Sequence, residues 1–229
     1  MKNYKLGILA STAFIYLGSL QVAHAHTAFV VTSTSNAFAG KSYFATINLG
    51  HGCEDELTGV KFDTETLEVD IPAGVTSVRP MDAPWGSASV ETDVDGNVTK
   101  ITWTKTGAAL PADSQLYRVN FSAKLPDAAM TTLAFPARQY CHDDSAVEIM
   151  TPWEGAESPT LKLLPARSPG WNKYTAQAEI DEATIKAFFA DAYIVWSGGA
   201  AYSSNPVTAD LISNTLTTIP MGAEFWVKY

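Results

Sequence analysis

From Thr27 to about Leu164 the chain breaks into short runs rich in β-branched and aromatic residues, each closed by a turn signal, and no stretch shows sustained helical periodicity. Strands are expected at Ala28–Thr34, Ser42–Leu49, Leu67–Ile71, Ser87–Thr92, Val98–Lys105, Leu116–Leu125, Thr131–Phe135 and Ala146–Met150. Alternation is clearest in Thr99-Lys100-Ile101-Thr102-Trp103-Thr104-Lys105, where every second side chain faces one side, and Asp95-Gly96-Asn97 ahead of it is a tight-turn signal. Short strands at this spacing predict a mainly β chain, an antiparallel β-sandwich.

The character changes after Pro165. Residues 165–170, Pro-Ala-Arg-Ser-Pro-Gly, have linker composition. Beyond them Ile180–Phe189 reads as a short amphipathic helix capped by Asp181, and Asn205-Pro206 as a second helix start with Asn at the cap. Tyr193–Trp196 and Phe225–Tyr229 read as strands. The chain thus divides into a sandwich over residues 26–165 and a small α+β unit over residues 170–229, which is marginal alone and expected to pack on the sandwich. Trp171, Tyr174, Trp196, Tyr202 and Trp226 are expected to supply that unit's core.

Residues 1–25 read as a signal peptide. Lys2 and Lys5 precede an apolar run from Leu6 to Leu20, and Ala23-His24-Ala25 sets small residues at the −3 and −1 positions of a cleavage site. The run is shorter than the roughly 20 residues of a membrane span. The expected product is periplasmic or secreted and does not span a membrane once cleaved. Removing these residues takes away two lysines and no acids, which moves the formal charge from −9 to −11. That acidity argues against a nucleic-acid partner, whose phosphates call for basic patches.

Cys53 and Cys141 are the only cysteines. An even count in an exported chain reads as a disulfide, and a bridge closing a loop of about 88 residues is worth on the order of 4 kcal/mol in the chain-entropy model. A pair of thiolate metal ligands is the alternative, and it suits an oxidising compartment less.

Cleavage after Ala25 leaves His26 as the first residue. Its free α-amine and its Nδ1 close a six-membered chelate on one metal ion, and amine plus imidazole is a ligand set that suits copper(II). A metal-free reading treats the histidine as incidental.

Further motifs add a resemblance. His26, a turn containing Gly40, Gly50-His51-Gly52-Cys53, the run Val69-Asp70-Ile71-Pro72-Ala73-Gly74-Val75-Thr76-Ser77-Val78-Arg79-Pro80, the strand Val98–Lys105 and Phe135-Pro136-Ala137-Arg138-Gln139-Tyr140-Cys141 occur in that order. Together they resemble a YcnI-like copper-binding domain over residues 26–164. The resemblance implies a cupredoxin-like or immunoglobulin-like β-sandwich and copper(II) held by the mature N-terminal histidine in a single-histidine brace, helped by a carboxylate and a tryptophan. It also implies a role in extracytoplasmic copper handling beside a copper-handling membrane or periplasmic partner. This sequence departs from the pattern twice: the carboxylate position falls on or near Arg118, and the tryptophan position near Ile149, with Trp153 four residues further on.

Histidines are the expected replacements. If the first two strands form a hairpin about Phe38-Ala39, partners sum to about 77 and His26 faces His51, with directly opposed Cβ atoms about 5 Å apart. A slip of one residue would put them on opposite faces. A Cys53–Cys141 bridge, with Cα atoms about 5.5 Å apart, brings His142 into the same neighbourhood. The expected metal residues are therefore His26, His51, His142 and Asp143, with Asp144 adding negative charge. The plainer reading of Gly50-His51-Gly52 is a turn whose imidazole only bonds backbone.

Other chemistry is weaker. Gly198-Gly199 near Ser197, Ser203 and Ser204 lacks a nucleophile-elbow pattern, and Glu54, Asp55 and Glu56 read as a solvated acidic loop. Three functions remain in play: a non-enzymatic exported copper(II)-binding protein for homeostasis, storage or delivery; a copper oxidase or oxygenase with a two-histidine brace; and a metal-free structural or adhesive sandwich.

Overall fold

The structure is a computed structural model that describes residues 28–29, 36–55, 57–112, 114–142 and 148–229. The signal-peptide reading, His26, Asp143 and Asp144 lie outside the described residues.

Two antiparallel sheets carry the first part of the chain. One has the order Ala28–Phe29, Ser42–Leu49, Tyr117–Lys124, Thr76–Pro80; the other runs Glu148–Trp153, Ala137–His142, Thr64–Asp70, Val98–Lys105, Gly86–Thr92. Both follow from period-two burial. Tyr43, Ala45, Ile47 and Leu49 point inward from one strand, and Tyr117, Val119, Phe121 and Ala123 from its neighbour. Leu67, Val69, Ile101 and Trp103 answer them from the second sheet, each fully buried. Side chains of this size contribute roughly 1.5–3 kcal/mol each on burial. The polar end of Trp103 is satisfied as well, since its Nε1–H donates to the Met81 carbonyl oxygen at 2.9 Å.

Ser42–Leu49 and Val98–Lys105 have the bounds expected from the sequence. The Ala137–His142 strand was not expected, although it lies second in its sheet. Its inward residues are Ala137, Gln139 and Cys141, and its outward ones Arg138, Tyr140 and His142, so hydrophobic alternation is hidden by a buried glutamine.

The Cys53–Cys141 disulfide is present, with Cα atoms 5.9 Å apart. It ties the short Cys53–Glu54 strand to the Ala137–His142 strand, and both cysteines are fully buried.

A second hydrophobic cluster gathers Ile180, Ile185, Phe188, Phe189, Val195, Ile219, Phe225 and Val227. Its sheet has the order Trp171–Thr175, Glu224–Lys228, Ile194–Ser197, Ala200–Tyr202. The helix is Glu182–Phe188; Asp181 caps it, its carboxylate accepting the Thr184 N–H at 2.8 Å. Asn205 caps the Pro206–Ala209 turn of helix by accepting the Val207 N–H at 2.9 Å.

The expected aromatic core is corrected in part. Tyr174 and Tyr202 pack against the cluster, but Trp171, Trp196 and Trp226 line a shallow cleft on the other side of the sheet, with Trp171 and Trp196 exposed. Alternation explains it, because Trp226 lies between the inward Phe225 and Val227 and pairs with Trp196. Met130 and Leu164 pack against this second cluster from the other part of the chain. The Arg167 guanidinium stacks over Tyr229 at 4.3 Å and Phe38 at 5.6 Å while pairing with Asp191 at 2.7 Å.

No helix among the described residues is long and apolar enough to cross a membrane.

Candidate metal centre

His51 is held from three directions. Gly52 lets the chain pass against the Phe62 carbonyl oxygen, which would collide with any Cβ at that position. The His51 carbonyl oxygen accepts the Gln139 Nε2–H at 2.7 Å, and that buried amide also bonds the Thr64 hydroxyl at 2.7 Å and accepts the Trp153 Nε1–H at 3.2 Å. The imidazole then lies edge-on to Trp153, with ring centroids 5.8 Å apart.

One hydrogen bond fixes the tautomer. Nδ1 of His51 is 2.6 Å from the Gly52 carbonyl oxygen, and a carbonyl only accepts, so Nδ1 carries the proton. In the neutral ring the lone pair then lies on Nε2, which has no hydrogen-bond partner among the described residues. That is how ligating histidines are commonly oriented, with the second ring nitrogen donating to backbone.

His142 does not join it. Gln139, whose amide holds the His51 carbonyl, points to the core, whereas His142 is exposed on the opposite face of the same strand. The disulfide brings the backbones near one another, but His142 lies on the outer face of its strand whereas the His51 ring meets the buried Trp153. Glu65 contacts Nδ1 of His142, and Glu148 lies 3.9 Å from Nε2. Carboxylates on opposite ring nitrogens bridge through the ring and do not converge with it on one ion. Among the described residues no group of three or more His, Cys, Asp or Glu is placed to hold a metal.

The hairpin register also differs from expectation. Ala28 pairs with Asn48 and Phe29 with Ile47, one residue away from the register that faces His26 to His51. Next in that cross-strand row, Asn48 pairs with Arg118, whose Nε–H donates to the Asn48 side-chain oxygen at 2.8 Å. The guanidinium is thus bonded to the Asn48 side-chain amide.

A buried polar cluster nearby was missed. Asp63 and Lys105 are in contact with side chains only 5% and 8% exposed, and Tyr117 donates its hydroxyl hydrogen to Asp63 Oδ1 at 2.7 Å. The Leu110 N–H donates to Asp63 Oδ2 at 2.6 Å, and Lys105 Nζ lies 3.1 Å from the Tyr117 hydroxyl. Burial opposes the Lys105 charge, but hydrogen bonds to Asp63 and Tyr117 outweigh it and raise the pKa; burial and the bond to Asp63 raise that of Tyr117. The sequence signal was the alternation itself, since Lys105 shares its parity with the inward Ile101 and Trp103.

The outer face of the same sheet carries an ion network. Arg138 pairs with Asp70 at 2.7 Å, Glu154 at 2.9 Å and Glu68 at 3.2 Å, and Lys100 joins Glu68 at 3.7 Å.

A protein-family profile described as "Domain of unknown function (DUF1775)" matches residues 29–162. No curated protein matches the chain. Among solved structures, an uncharacterized protein from Nocardia farcinica with an immunoglobulin-like fold is similar at 23% identity and a TM-score of 0.46, covering 61% of this chain and 98% of that one. Domains D2 and D3 of the major pilin SpaD from Corynebacterium diphtheriae are similar at 13% identity and a TM-score of 0.39, covering 88% of this chain and 73% of the other.

Proposed function

This chain belongs to the DUF1775 family, a domain of unknown function, and from that premise we propose that it is an exported copper(II)-binding protein anchored on His26. YcnI-like proteins carry this domain, which agrees with the resemblance of residues 26–164. His26, once it is the first residue, offers its α-amine and Nδ1; it precedes the first paired residue, Ala28, by two, so the register at Ala28 and Phe29 does not fix its direction, and His51 offers Nε2 as a further nitrogen. Three nitrogen donors suit copper(II) and require no anionic partner beside Arg118. The observation that carries this reading is the His51 ring, whose Nδ1 donates to the Gly52 carbonyl while Nε2 has no partner among the described residues. Such a protein stores or shields copper, or hands it to a membrane or periplasmic partner, and export agrees with the disulfide.

The test compares two proteins, one beginning at His26 and one carrying a single extra residue before it. The extra residue converts the amine to an amide and abolishes the chelate while leaving residues 28–229 unchanged. Copper(II) titration is expected to show a loss exceeding the roughly 10–100-fold that removal of an outer-shell partner costs. Equal affinity for both forms overturns the proposal.

A further inference from the structure

The Asp63 and Lys105 pair has the parts of an acyl-transfer site. The lysine nitrogen touches the carboxylate, both groups are removed from water, and Tyr117 and the Leu110 N–H each donate to one of the two carboxylate oxygens. We propose that Lys105 and Asp63 condense in the folded protein to an intramolecular isopeptide bond.

The step balances within the pair. The Lys105 ammonium passes a proton to the Asp63 carboxylate, giving a neutral amine and a carboxylic acid, a transfer that burial favours because it removes two charges from a low-dielectric site. The Nζ lone pair then attacks Cγ and the N–C bond forms. Tyr117, hydrogen-bonded to Oδ1, stabilises the charge that develops there. Oδ2 departs as water, taking the carboxyl proton and the second amine proton. Ammonium and carboxylate become one amide and one water; nothing is oxidised or reduced.

Two further features support it. Fixing amine and carboxyl in contact replaces a bimolecular encounter by an intramolecular one, for which effective molarities reach about 10⁵–10⁸ M. A cavity of 120 Å³ lined by Asp63, Lys105, Glu65, Gly107 and His142 gives the water a way out. Hydrogen bonds to Asp63 and Tyr117 favour the ammonium in the resting state, so the reaction is slow and follows folding.

Peptide mapping decides the matter. Protein kept folded for an extended period is denatured, reduced and cut with trypsin and a glutamyl endopeptidase. The expected product is residues 62–65 joined to residues 101–118, one water lighter than the two peptides together and uncleaved after Lys105. Lys105→Arg and Asp63→Ala are expected to restore the full mass; if either fails to fold, the wild-type digest stands alone. Recovery of residues 62–65, 101–105 and 106–118 as separate peptides overturns the proposal. So does a loss of water without joined peptides, which would mark a cyclic imide at Asp63.

Discussion

Trp153 stands edge-on to His51 at a centroid distance of 5.8 Å, and Gln139 holds both, its side-chain oxygen accepting from the indole and its nitrogen donating to the His51 backbone. A paramagnetic ion bound at Nε2 therefore lies beside a buried indole. Copper(II) is expected to quench part of the tryptophan fluorescence in wild type and less in His51→Ala, with copper affinity falling roughly 10–100-fold or more. Unchanged affinity in the variant would reduce His51 to a turn residue.

Gly52→Ala tests the same site without touching a ligand. A methyl group there meets the Phe62 carbonyl oxygen, so the turn must move and carry His51 with it. A stability loss of about 1–3 kcal/mol in urea melts is expected, accompanied by weaker copper binding although every histidine remains.

Replacing Cys53 and Cys141 with serine is expected to cost about 2–5 kcal/mol. Denaturant unfolding measures it, and copper titration of the folded fraction shows whether the bridge also positions His51. Two free thiols in oxidised protein would contradict the pairing.

Copper binding should weaken on acidification. The His26 amine must lose its proton to bind, and a free α-amine titrates near pH 7.7–8.0. Titrations across that range are expected to show affinity falling with pH for the protein that begins at His26, and a different, imidazole-governed profile once the amine is blocked.

At the alkaline end Tyr229 matters. Burial, the nearby Tyr174 and, in the opposite sense, Arg167 together push its phenol up to about 12 from the ordinary 10.0. A folded-state value above the unfolded one means stability that is complete below pH 10.0 and is lost as pH rises toward about 12. Tyr229→Phe should flatten that loss in pH-dependent melts.

Much of the fold was legible because alternation is a local signal. The 42–49 and 98–105 strands carry large apolar groups at every second position, and the helix after Asp181 announces its cap. The 137–142 strand was not legible, because Gln139 is buried only by virtue of Thr64, Trp153 and the His51 carbonyl, partners remote in sequence. How His51 and His142 are placed was legible only in part, for a related reason. Spacing from the cysteines fixed how near the backbones of His51 and His142 come, while strand parity, set by the burial of Gln139 and Cys141, put His142 on the outer face and not beside the buried Trp153 that the His51 ring meets.

Arg167 lies in the Pro- and Gly-rich connector between the two hydrophobic clusters, where a trypsin-like protease would be expected to cut first. Such an enzyme must draw an arginine out into its specificity pocket, and this one is clasped by Phe38, Tyr229 and Asp191 with its side chain only 17% exposed. The connector thus conceals its own cleavage site, and limited digestion should spare it until the clasp opens.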